Sequence, residues 1–255
     1  MRQVIVAGNW KMNKTVSESV EFVKELQEGL GFDLKLQVLV FPPFTSLYSI
    51  GRIVDKSRIG FGAQNMYFEK AGAFTGEISA DMIKSCGGEY VIVGHSERRH
   101  IFGESDEVIG RKVKSALESG LKPVVCIGEK LDEREAGKTE QVIERQFYKA
   151  FEYVQEDMIE DCVIAYEPVW AIGTGVNATP EQACEAHDFV RGLLEKKYNG
   201  GVAENFTILY GGSVKPGNCK ELFEKNGVDG FLVGGASLKV VSFLEIIKIV
   251  NNMLV

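Results

Sequence analysis

At 255 residues, with 45% hydrophobic and 25% charged side chains, the chain can bury a sizeable core and has the composition of a globular protein, which sets aside the disordered and fibrous classes. Its formal net charge of −7 withholds the general attraction that nucleic-acid binding draws on, so no nucleic-acid partner is expected, while a local positive site for an anionic metabolite stays open. Five scattered cysteines (Cys86, Cys126, Cys162, Cys184, Cys219) form no Cys-x-x-Cys pair and read as free thiols; no apolar run approaches the ~18 residues of a membrane span, and residues 1–3 run straight into a strand, so a cytoplasmic protein without leader or membrane partner is expected.

Short apolar runs recur about every 30 residues, at 4–7, 37–41, 59–63, 90–93, 124–127, 163–166, 207–210 and 230–233. Most are continuously hydrophobic rather than alternating, as strands covered on both faces must be. Between them lie helical stripes. Val16, Val20, Val23, Leu26 and Leu30 follow a capping box at Thr15-Val16-Ser17-Glu18, and Ala183, Ala186, Val190, Leu193 and Leu194 follow another at Thr179-Pro180-Glu181-Gln182; Leu244, Ile247 and Val250 form the last. Eight strands alternating with about eight helices allow a closed (β/α)8 barrel or an open doubly wound sheet. The even spacing and the lack of a linker favour the barrel, as one domain spanning 1–255.

Parallel strands all end at one rim, so the residues that follow each run share a face. Those exits carry Asn9-Trp10-Lys11, Gln64-Asn65, Gly94-His95-Ser96-Glu97, Glu167, Gly211-Gly212-Ser213 and Gly234-Gly235. Glu167 leaves its strand onto Pro168, which stops the ladder, and the loop beyond has bulky tips (Val169, Trp170, Ile172) and small joints (Gly173, Gly175). That is the pattern of a general base under a movable lid, dry and unpaired when the lid folds over. His95, before a Ser96 that could cap a helix, suits a neutral ring donating a hydrogen bond to an oxyanion. Lys11 can place a positive charge for a phosphate dianion, and the glycine pairs with Ser213 stand where barrels often bind phosphate.

Each feature has a plainer reading. A strand-end carboxylate is more often an ion pair, a rim lysine more often solvated, and a glycine pair a turn. His100, in a charged run, His187, on a helix, and Cys126, beside a strand end, are read as structural. Gly173-Thr174-Gly175-Val176-Asn177-Ala178 fits G-x-G-x-x-A, but it begins six residues past the strand, and Gly137-Lys138-Thr139 lacks the first P-loop glycine because position 132 is Asp. The three histidines have no metal-ligand spacing.

Taken together, Gly8-Asn9-Trp10-Lys11-Met12-Asn13, Gly72-Ala73-Phe74-Thr75-Gly76-Glu77, Val93-Gly94-His95-Ser96-Glu97-Arg98-Arg99, the run from Ala165 to Gly175, Tyr210-Gly211-Gly212-Ser213-Val214 and Leu232-Val233-Gly234-Gly235-Ala236 resemble the triosephosphate isomerase family over nearly the whole chain. The resemblance implies a TIM barrel that interconverts dihydroxyacetone phosphate and glyceraldehyde 3-phosphate through an enediol or enediolate, with no cofactor and no metal, as in glycolysis and gluconeogenesis. It implies Glu167 as the carbon base, His95 as proton donor at the substrate oxygens, Lys11 and Asn9 as holders of charge and substrate, and Glu97 as tether of Lys11 or proton relay. Gly173, Ser213, Gly234 and Gly235 would grip the phosphate, and Ile172 with Leu232 would clamp over Glu167. It also implies a homodimer in which the 64–77 loop interdigitates, Thr75 reaching toward the partner's Asn9 and the partner's His95. An isomerase of a larger aldose phosphate would need a roomier pocket than the bulky lid suggests, and a non-enzymatic phosphometabolite sensor or adhesin would not need Asn9, Lys11, His95 and Glu167 together.

Overall fold

The computed structural model describes residues 2–172, 178–225 and 227–254. β1 (Ile5–Asn9) leads to α1 (Val16–Gly29), β2 (Gln37–Phe41) to α2 (Phe44–Gly51), β3 (Ile59–Ala63) to α3 (Ala80–Ser85), and β4 (Tyr90–Val93) to α4 (Ser96–His100) and α5 (Asp106–Glu118). β5 (Lys122–Ile127) precedes α6 (Leu131–Glu135) and α7 (Thr139–Ala150), β6 (Val163–Tyr166) precedes α8 (Pro180–Lys197) and α9 (Gly200–Asn205), β7 (Ile208–Tyr210) precedes α10 (Pro216–Glu224), and β8 (Gly230–Val233) precedes α11 (Val240–Met253). Every pairing is parallel, and β1 pairs with both β2 and β8, so the sheet closes on itself as the (β/α)8 barrel rather than the open sheet.

The continuous hydrophobicity of the strands follows from two cores that share one wall. Ile5, Ala7, Leu39, Phe41, Ile92, Val124, Cys126, Ala165, Leu209 and Leu232 point into the barrel, whereas Val6, Val38, Val40, Val91, Val125, Ile164 and Ile208 alternate outward against the helices. Cys126 is thus a buried free thiol in the inner core, and burial, with the Glu167 charge nearby, pushes its pKa well up.

Boundaries differ from the sequence reading where a breaker residue is tolerated. β1 continues through Gly8 to Asn9, paired with Val40 and Phe41, because a side chain at Gly8 would press on Ser237 at 2.9 Å and only glycine lets that wall approach. β5 starts earlier, with Pro123 opposite Val91, and β7 starts at Ile208, since the Thr207 hydroxyl bonds to the Gln3 carbonyl instead. The α1 stripe is shifted: Val16 is exposed, and Ser19, Phe22, Val23 and Leu26 turn inward. The Thr15 and Thr179 capping boxes form as read. Eleven α-helices rather than eight occur among the described residues; α4 and α6 are single-turn pieces at the strand-exit rim, and α4 opens the site.

Candidate active site

Glu167 follows the last residue of β6, and its N–H donates to the Ile127 carbonyl at 2.8 Å before Pro168 ends the ladder and a 3-10 turn, Val169–Ala171, begins. The backbone here is crowded. A Cβ at Gly128 would lie 1.8 Å from the Glu167 carbonyl oxygen, and one at Gly211 would lie 2.9 Å from its Cγ, so Gly128 gives room to the backbone of this residue and Gly211 to its side chain. Gly211, read from the sequence as part of a phosphate site or as a turn, thus also shapes the place of Glu167. The Glu167 side chain is 3% exposed.

A carboxylate removed from water needs partners, and here α4 supplies them. The Ser96 N–H donates to Oε2 at 2.9 Å, and Nε2 of His95 stands 3.0 Å from Oε1. His95, not Ser96, is the residue that caps the helix: its Nδ1 accepts the Glu97 N–H at 3.2 Å, and Ser96 is the first helical residue. A ring whose Nδ1 accepts carries its proton on Nε2, so it is a neutral imidazole donating to Glu167. The carboxylate is thus dry, as expected, but not unpaired. Burial pushes its pKa up, while the His95 ring, the Ser96 N–H and the Lys11 charge pull it down, and the net direction is below the usual glutamate value.

Lys11 sits at φ 53, a conformation that costs an L-residue about 1–2 kcal/mol. Two side chains hold it there. Asn9 Oδ1 accepts the Lys11 N–H at 3.0 Å, and Gln64 Nε2 reaches both the Lys11 and Phe41 carbonyls at 2.8 Å. The Lys11 ammonium lies 2.8 Å from Glu97 Oε1. On its other flank, a Cβ placed on Gly234 would be 3.5 Å from Lys11 Cε, so the side chain runs along the glycine pair after β8.

These groups face one cavity of about 780 Å³ that Asn9, Lys11, His95 and Glu167 share with Ser213, Gly234 and Gly235. Gly235 opens a 3-10 turn, Gly235–Leu238, whose Ser237 hydroxyl is tied to the Val233 and Gly234 carbonyls at 3.0 and 2.7 Å. Backbone N–H groups at such a turn favour an anion. Ile172 and Leu232 supply apolar wall to the cavity; Gly173 lies outside the described residues. A second groove of about 210 Å³, between Lys11, Gln64, Asn65, Glu97, Arg98 and Phe102, backs onto the same Asn9, Lys11 and His95.

Sequence reasoning passed over Glu129. It follows Gly128 at the exit of β5, the same glycine-then-polar signal that marked His95, and it is fully buried beneath the site with Tyr166, Trp170 and Arg134 as partners. Gln146 of α7 had no sequence signal; its amide brackets Gly128, accepting from the N–H at 2.8 Å and donating to the carbonyl at 3.2 Å. His187 is buried in α8 with Nδ1 2.9 Å from the Gly227 carbonyl, and His100 lies at the exposed end of α4. Among the described residues no group of three or more His, Cys, Asp or Glu is arranged to hold a metal, and no helix is long and apolar enough to cross a membrane.

A family model described as triosephosphate isomerase matches residues 4–250. Proteins named triosephosphate isomerase from Phocaeicola vulgatus and Carboxydothermus hydrogenoformans are 53% and 52% identical over 248 residues, 97% of this chain and 98% and 99% of theirs. One from Bacteroides fragilis is 50% identical over 252 residues, 98% of this chain and all of its own.

Proposed function

From the premise that the chain belongs to the triosephosphate isomerase family, and so interconverts dihydroxyacetone phosphate and D-glyceraldehyde 3-phosphate, we propose that Glu167, His95, Lys11, Asn9 and Glu97 carry the reaction. One observation supports this most: a base, a neutral proton donor and a cation from three different strand exits meet in a single cavity beside a glycine-lined anion cradle.

The phosphate dianion binds the N–H groups at Gly234 and Gly235, the Ser213 hydroxyl and, in this reading, the Gly173 amide, with the Lys11 ammonium alongside. That fixes the three carbons above Glu167 and leaves a substrate oxygen facing Nε2 of His95. Glu167 exchanges its bonds to Ser96 and His95 for the substrate, takes the proton from one carbon and returns it to the next. Charge developing on the oxygen meets the His95 N–H and Lys11, both in place before the reaction starts, so little reorganisation is needed. Glu97 holds Lys11 and, through its N–H, fixes the His95 tautomer. Ile172 and Leu232 exclude water from the carboxylate, which raises its basicity once the hydrogen bonds from α4 are left behind. The scheme uses no cofactor or metal.

We also read residues 1–255 as one domain of a cytoplasmic homodimer. In support, the 64–77 loop is braced by its own Tyr67, Phe68 and Phe74 rings and carries Thr75 exposed, while Met12, Phe44 and Phe102 leave apolar surface around the 210 Å³ groove that would receive it. The decisive test is a coupled assay with glyceraldehyde 3-phosphate, run also in deuterated water. Turnover is expected, with deuterium entering at carbon to the extent that the proton held by Glu167 exchanges before its return; no turnover removes the assignment.

A further inference from the structure

We propose that Arg134 is a positioning residue for the isomerisation: by balancing the buried Glu129 carboxylate and covering the Trp170 ring, it holds the 166–171 segment that carries Glu167. This rests on Glu167 as the base.

Glu129 is 0% exposed, and among the described residues every side-chain donor to its carboxylate belongs to the segment in question except one. Tyr166 gives its hydroxyl at 3.1 and 3.2 Å, and Trp170 gives Nε1 at 2.9 Å. Between these two residues, the Val169 N–H donates to the Glu129 carbonyl at 3.0 Å. Residues 166–170 are therefore hung on Glu129 at three points, with Glu167 inside the span. The remaining partner is Arg134 on α6. Its Nη1 is 3.2 Å from Oε1, and its guanidinium carbon lies 4.8 Å from the centre of the Trp170 ring. It is the one cation within ion-pair distance of Glu129 among the described residues.

The physics of such a cluster is asymmetric. A buried carboxylate that loses its balancing cation is left uncompensated, and it relaxes by taking up a proton or by turning outward. Either response withdraws an acceptor from Tyr166 or Trp170. The base would then be carried by a backbone fixed at fewer points, and misplacement on the scale of an ångström is costly in proton transfer. The phosphate cradle after β7 and β8 has no part in the cluster, so binding suffers less than turnover.

The test uses the full-length protein labelled with 5-fluorotryptophan, which gives one fluorine signal for Trp170 and one for Trp10 as an internal reference. In Arg134→Ala, kcat is expected to fall about tenfold with KM changed less than about threefold, and the Trp170 signal to move while Trp10 stays. Guanidinium ion at millimolar concentration, or Glu129→Gln added to Arg134→Ala, should restore part of both kcat and the Trp170 signal, since each removes the unbalanced charge. Arg134→Lys, with charge but no planar fork, should fall between. An unchanged kcat, a loss that neither guanidinium nor Glu129→Gln repairs, or equal movement of both tryptophan signals overturns the proposal. Failure of Glu167 as base would show separately, as undiminished turnover in Glu167→Asp, without touching the fluorine result.

Discussion

Nε2 of His95 and Oε1 of Glu167 stand 3.0 Å apart, with the proton on the ring nitrogen, so the proposed proton donor and the proposed base are joined to each other. Each must trade this bond for the substrate, and the length of the Glu167 side chain sets whether it can reach both. Glu167→Asp is one methylene short of that reach. Its kcat should fall by about a hundredfold or more, with KM within a few fold, by steady-state assay; a kcat near the parent value would remove Glu167 from the mechanism.

Gly211 presses on the same side chain. Adding a methyl there puts a carbon where only 2.9 Å separates it from Glu167 Cγ. Gly211→Ala should lower kcat by about ten- to a hundredfold with secondary structure by circular dichroism unchanged. An alanine variant of full activity would mean that the base does not use this side of its pocket.

The left-handed backbone at Lys11 relies on Gln64. Gln64→Leu keeps the volume and deletes both hydrogen bonds, so the ammonium should drift from the anion cradle. The expectation is KM raised about tenfold and a salt dependence of kcat/KM flatter than in the parent. Parent-like KM would show that Asn9 alone suffices.

His187 offers a pH test of stability away from the site. Burial lowers its pKa from 6.5 to about 4, with the Gly227 carbonyl acting the other way. The folded ring stays neutral while the unfolded ring protonates below about pH 6.5, so stability is lost as pH falls through the interval between the two values. Against His187→Gln at equal protein concentration, the parent should lose about 2 kcal/mol more unfolding free energy between pH 7 and pH 5. Parallel urea titrations at the two pH values measure it, and equal losses would refute it.

The exposed Thr75 tests the assembly. Thr75→Arg should block insertion into the 210 Å³ groove, giving monomers by sedimentation and sharply reduced turnover. A fully active dimer would count against the interdigitating loop.

The barrel was legible because strands buried on both faces leave unbroken apolar runs, and the rim residues because each follows such a run. His95, Glu167 and Lys11 stand out as polar residues at positions where a packed core has just ended. Glu129 carries the same mark at Gly128-Glu129, but no lid or Ser/Thr cap follows at once to single it out. Gln64 was noticed by place but not by task, since its partners are carbonyls, which every residue owns. Arg134 and Gln146 were beyond reading: they reach the site from helices, across distances that only the closed barrel brings together. The pairing of Glu167 with Ser96 was equally invisible, because a backbone N–H leaves no trace in the alphabet.

Asn9, Lys11 and His95 form a partition between two hollows, the proposed substrate cavity on one side and the smaller groove on the other. A compound that displaces the partner's loop from the smaller hollow would lean on these residues from behind without resembling a sugar or a phosphate. Raising the substrate concentration could not displace it, so its inhibition should be noncompetitive, and chemists seeking a selective blocker have a second door into the same room.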